Sequence, residues 1–138
     1  MNKIASPLPY WQAGIFAVRL IVGFFMIYHG WEIFSTEKMN PYLEWDVFKT
    51  PSGKAMVYAG KGAELVGGVL LFLGLFTRIA CVILIGTMAY IAFFVSRGRI
   101  WYEDQHPFLF VLLGLVFIFT GPTKYSLDYV LFRKKATN

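Results

Sequence analysis

The chain has 138 residues, 57% of them hydrophobic, 19% aromatic and only 15% charged, and its mean hydropathy is +0.57. A soluble domain is about 25% charged, and a sphere of this size could not cover itself with the polar side chains present, so a soluble globular fold is excluded. The net charge of +5 comes from scattered basic residues. The single run, Arg133-Lys134-Lys135, reads as a membrane-surface anchor beside lipid headgroups, and nucleic acid is not an expected partner.

Spans of about 20 apolar residues each fit four times. The fold expected is an all-α, integral membrane four-helix bundle in one domain, 1–138, with spans at about 13–33, 55–76, 79–95 and 103–120. Before the first span, two prolines oppose helix in Ser6-Pro7-Leu8-Pro9, while Tyr10 and Trp11 suit the headgroup level. Lys3 gives a weak basic start, but no small-x-small cleavage site follows the apolar run, so span one reads as retained. The loop 35–54 mixes acidic and apolar residues around Tyr42–Phe48, which predicts a short helix or re-entrant piece at the surface.

Span two carries Lys61 and Glu64 among small residues, including Gly67 and Gly68. Such residues let helix backbones approach closely in lipid, within one molecule or between two, so a homo-oligomer is open. Span three has no charge between Arg78 and Arg97 and is expected to face lipid most. Span four is short, with Pro107 tolerated in its first turn. Gly121-Pro122 ends it, and Ser126 N-caps a short interfacial helix, Leu127 to Lys134. Four spans put both tails on one side. Six basic residues there against five opposite give a weak vote for that side being cytoplasmic.

Ionisable groups inside spans cost about 2.5–3.5 kcal/mol each at a helix centre unless they pair or line a cavity. Arg19 lies about 9 Å in from the inner face and Glu64 about 14 Å in from the outer one, at 1.5 Å per residue. A structural ion pair, Arg19–Glu64, is therefore expected between spans one and two, with the arginine snorkelling across the gap. His29 and Glu32, Lys61 and Glu64, and Glu103 and His106 are each spaced by three, so each pair shares a helix face. Three acid–base pairs in one half of the membrane predict a polar ligand-binding pocket opening outward. It is rimmed by aromatics that could hold a quinone head group or simply form the interfacial belt.

His29 and His106 could serve as axial haem ligands, a reading disfavoured because they are the only two histidines and lie near the boundary. Two histidines and one cysteine exclude a metal site of four such ligands, and no metal is expected. No phosphate loop or nucleophilic triad is present in a credible context. A transporter would show an inverted repeat, and the charge-rich first half does not resemble the second.

Several stretches resemble one family. Arg19-Leu20 through Tyr28-His29-Gly30 resembles the first span of the DoxX family. Glu64-Leu65-Val66-Gly67-Gly68 with Leu73-Gly74-Leu75-Phe76-Thr77-Arg78 looks like its strongest motif, and Thr120-Gly121-Pro122 with Tyr125-Ser126-Leu127-Asp128 like its C-terminal signature. The resemblance runs from about Val18 to Leu131 and places Arg19, His29, Glu64 and Arg78 on motif positions. It implies a four-span membrane protein of the bacterial or archaeal cytoplasmic membrane. Some relatives are subunits of thiosulfate:quinone oxidoreductase. Others are membrane scaffolds joining superoxide dismutase to a sulfurtransferase. The expected role is accordingly a subunit of a redox-linked, quinone-interacting complex. The alternative is a non-catalytic scaffold for a soluble oxidative-stress or sulfur-metabolism partner. Many relatives carry a lysine shortly after the His-Gly pair; here Trp31-Glu32-Ile33-Phe34 stands there, and Lys61 would have to substitute.

Overall fold

A computed structural model describes residues 4 and 6–133. Lys3, Lys134 and Lys135 lie outside the described residues, so two of the three residues of the basic tail anchor and the last residue expected of the terminal helix fall there too. The described chain is all-α. Helix α1 is Trp11–Gly30, extended to Phe34 by a 3-10 turn, and α2 is Thr36–Leu43. Helix α3 is Gly53–Leu73, and α4 is Thr77–Tyr90, continued by a π-helical turn, Ile91–Val95. Helix α5 is Gln105–Thr120 and α6 is Leu127–Phe132. The first three long elements, Trp11–Phe34, Gly53–Leu73 and Thr77–Val95, are long and apolar enough to cross a bilayer, and α5 is a shorter apolar helix.

Glycine sets the closest seam of the bundle. A Cβ added at Gly23 would lie 2.7 Å from the backbone nitrogen of Phe72, and one at Gly68 2.7 Å from that of Ile27, while Gly30 abuts the backbone of Leu65. Bare Cα atoms thus let antiparallel α1 and α3 meet backbone to backbone, as small residues do in lipid. This seam fixes the register: residue 23 stands opposite 72, and residue 30 opposite 65.

Span two stops at Leu73, three residues earlier than its hydropathy suggests. Gly74 takes a left-handed conformation, φ 67°. Its N–H donates to Leu71 O at 3.2 Å, and Leu75 N–H donates to Leu70 O at 2.9 Å, the paired bonds that close a helix with a left-handed residue. Helix α4 then starts at once, and its first amides are satisfied from outside. The Asp128 carboxylate accepts from Phe76 N at 2.6 Å and Thr77 N at 2.7 Å. Ser126 caps α6 as expected, its Oγ accepting from Tyr129 N at 3.2 Å. The terminal helix therefore does more than lie at the interface: it caps the third span. Lys124 N–H also donates to the side chain of Gln12 at 3.0 Å, so the start of α1 and the C-terminal segment share one end of the bundle.

The core joins Val22 and Met26 of α1, Leu71 of α3, Ala80, Cys81, Leu84 and Met88 of α4, and Phe117 of α5. Helix α4 packs on both α3 and α5. Span three, expected to face lipid most, is instead an inner helix of the row with α3 and is buried to the same extent as span one, while α5, in which only Gly114 and Phe117 are buried, is the more exposed. An interior position and a lipid-facing one are equally apolar, so absence of charge does not separate them.

Candidate functional site

The charged residues of the spans do not gather where depth alone put them. On the glycine register Arg19 is level with the Gly74 turn, and Glu64 is level with the end of α1. Some 12 residues of helix, about 18 Å at 1.5 Å per residue, separate them. The expected Arg19–Glu64 ion pair does not exist. The buried Arg19 instead donates from Nη2 to Tyr125 O at 3.1 Å, and its guanidinium lies 5.4 Å from the Phe16 ring centroid. Its Nε and Nη1 meet no acceptor among the described residues. Span limits drawn from hydropathy do not carry the helix register, which Gly23, Gly30 and Gly68 set.

At the loop end of the bundle, the mate of Glu64 is Lys61. The Lys61 ammonium donates to Glu64 Oε2 at 3.1 Å and to the carbonyl of His29 at 3.4 Å, and it lies 2.9 Å from Glu32 Oε2. Tyr42 Oη donates to the same Glu32 oxygen at 2.8 Å, and the ammonium sits 4.7 Å from the Tyr42 ring centroid. The three ammonium protons are thus matched by three oxygens. Lys61 also takes the place of the cation missing after His29-Gly30, reaching α1 from α3. Glu64 is 95% buried, from a residual exposure of 5%, and only its Oε2 is engaged; Oε1 accepts no hydrogen bond among the described residues. Counted as ions, the two carboxylates and one ammonium leave one negative charge in the cluster.

This cluster forms one side of a cavity of about 530 Å³ between α2, α3 and α4. Lys61 and Glu64 are its charged lining. Tyr42, Trp45 and Phe48 roof it from the loop, and Thr87, Tyr90 and Ile91 wall it from α4. The roof rings follow one another, with centroids 5.1 Å apart for Tyr42–Trp45 and 6.3 Å for Trp45–Phe48. Gly60 and Gly86 complete the walls, and a Cβ at either would meet nothing within 4 Å. Burial, and after it the bond to Glu32, raise the Tyr42 phenol above the ordinary tyrosine value. Its hydroxyl therefore remains a donor across the neutral range.

Of the seven residues singled out in the sequence as ligand-binding candidates, Glu32, Lys61 and Glu64 come together. His29 contributes only its carbonyl; its exposed ring lies edge-on to Tyr28 at 5.6 Å. The exposed Glu103 pairs with Arg99 at 3.5 Å, and the exposed His106 packs edge-on to Phe110 at 5.3 Å. Neither lines the cavity. The third acid–base pair belongs to the α4–α5 loop, where buried Asp104 accepts from the backbones of Arg97 at 3.2 Å and Arg99 at 2.7 Å. Arg78 is also elsewhere, in a shallow groove beside Asp128 and Arg133 at the tail end. Sequence reasoning missed Tyr42, Trp45 and Phe48 as a roof. Their three-residue spacing was the available signal: on a helical stretch it stacks rings along one face.

Comparison with known proteins agrees with this architecture. A family model described as DoxX matches residues 14–97. A Haemophilus influenzae protein, described as uncharacterized, is 33% identical over 145 residues, covering 97% of this chain and 100% of that one. No solved structure matches.

Proposed function

The chain belongs to the DoxX family of membrane proteins, and from that premise we propose that it is the membrane-embedded subunit of a redox-linked complex whose loop-end cavity binds the head of a lipid-soluble quinone-type molecule. The observation that carries this reading is a buried acid–base cluster set into an otherwise apolar, aromatic-lined cavity. Small-molecule sites pair a predominantly apolar lining with a few convergent polar groups that fix orientation. A ring-bearing head between Tyr42, Trp45 and Tyr90, with its oxygen near Glu64, matches that division. The uncommitted carboxylate oxygen, on a side chain with only 6% of its surface exposed, is an acceptor that a ligand in the cavity can use. The reading sets the protein in a bacterial cytoplasmic membrane with both tails inside, alongside a redox partner protein.

Gly86 supplies the test. A Cβ there meets nothing within 4 Å, so a leucine can be introduced on the cavity wall, where it takes up part of the volume. A short-tailed benzoquinone or its quinol should raise the unfolding temperature of the detergent-solubilised wild-type chain and leave Gly86→Leu unmoved. A wild type indifferent to both forms at saturating concentration ends the proposal.

A further inference from the structure

Every charged donor of the cluster is already spent. The Lys61 ammonium faces Glu32, Glu64 and the His29 carbonyl, and the Tyr42 hydroxyl proton is given to Glu32. What remains for a ligand is Glu64 Oε1, an acceptor on a residue 95% buried and lining the cavity. Thr87 and Tyr90 also line the α4 wall, and a hydroxyl can donate or accept, so neither residue favours one kind of ligand oxygen. Selection therefore falls to Glu64. A ligand hydroxyl meets Oε1 with a charge-assisted hydrogen bond. A ligand carbonyl sets two acceptors face to face in a poorly solvated site, with no proton between them.

We infer that the cavity holds the hydroxyl-bearing, reduced form of its ligand in preference to the carbonyl form, with Glu64 Oε1 as the specificity-determining atom. This rests on the ligand class proposed above, and it adds the oxidation state in which that ligand is kept. The cluster's excess negative charge acts in the same direction, since it favours a donor and opposes a second electron-rich oxygen. Tyr42 supports the selection indirectly: by donating to Glu32 it leaves the lysine fully engaged across the gap and Oε1 unshared.

The test uses the full chain in neutral-lipid nanodiscs, without oxygen, and one probe in two states: a decyl-substituted benzoquinol and the corresponding benzoquinone. Calorimetric Kd values should favour the quinol by about tenfold or more, the weight of one hydrogen bond to a charged group. Glu64→Gln retains the shape but adds a donor to the acceptor, and the two affinities should then converge. Gly86→Leu, which alters no polar side chain, should lose both probes, placing the binding in this cavity. Equal affinities in the wild type, or tighter binding of the quinone, overturn the inference and leave the cavity's ligand class standing. A quinol preference that survives Glu64→Gln overturns it as well. A folded wild type that binds neither probe removes this inference and the proposed function together.

Discussion

Lys61 shows why charge inside a bilayer is read best residue by residue. Lysine and glutamate three apart on a helix would be ordinary surface decoration in water, where an exposed pair is worth about 0–1 kcal/mol. Here the pair is buried, and a second carboxylate reaches the same ammonium from α1. Removing one partner of such a cluster strands charge in a poor solvent, which is far costlier than the cluster is stabilising. Tyr42 ties the extramembrane helix α2 to these ions through a single proton, and that proton gives a pH signature. The neutral phenol is the donor and its pKa is raised on folding. The bond's contribution is therefore present in full below the ordinary tyrosine value and is lost as pH rises through the raised one. Wild-type stability should fall in that alkaline window by about 1–2 kcal/mol, a hydrogen bond to a charged group discounted for the partial exposure of Tyr42. Tyr42→Phe should show the loss already at neutral pH and lack that part of the alkaline slope, as thermal unfolding at a series of pH values would reveal.

At the scale of elements, the spans were legible and their ends less so. Runs of apolar residues placed each long apolar helix to within a few residues, and Ser126 announced α6. Hydropathy ran through Gly74, Leu75 and Phe76, although the left-handed turn that ends α3 is carried there by a glycine. The polar site was half legible. Spacing by three named Lys61 and Glu64, but depth counted from span ends chose Arg19 as the mate, because register lives in the glycine seam and not in hydropathy. The cap on α4 was legible only as chemistry without an address. Asp128 stood visible in the sequence, while the amides it accepts belong to residues 51 and 52 positions earlier. Its carboxylate at a helix start offsets both unmatched donors and the positive end of the helix dipole. Asp128→Ala should therefore cost about 1–2 kcal/mol, at the upper end for a lost N-cap, and hydrogen exchange should quicken selectively in the first turn of α4. Unchanged protection there would remove α6 from its capping role.

For the molecule as a whole, the four long helices return the chain to the end where it began. The contacts of Gln12 with Lys124 and of Phe16 with Tyr125 join the two terminal segments. Cysteines placed at exposed Leu8 and Val130, in a Cys81→Ala background, should react with a membrane-impermeant maleimide from one face of a sealed vesicle. A cysteine at Thr50 should react from the other. Labelling of Leu8→Cys and Val130→Cys from opposite faces would refute the topology. The same background substitution points to what the native thiol does by its location. Cys81 is the only cysteine in the chain and has no exposed surface, packed between neighbouring helices in the core. Peroxide and radical oxidants usually mark sulfur first. With its one sulfhydryl sealed in the interior, the chain offers such oxidants no thiol at its surface through which two copies could be cross-linked.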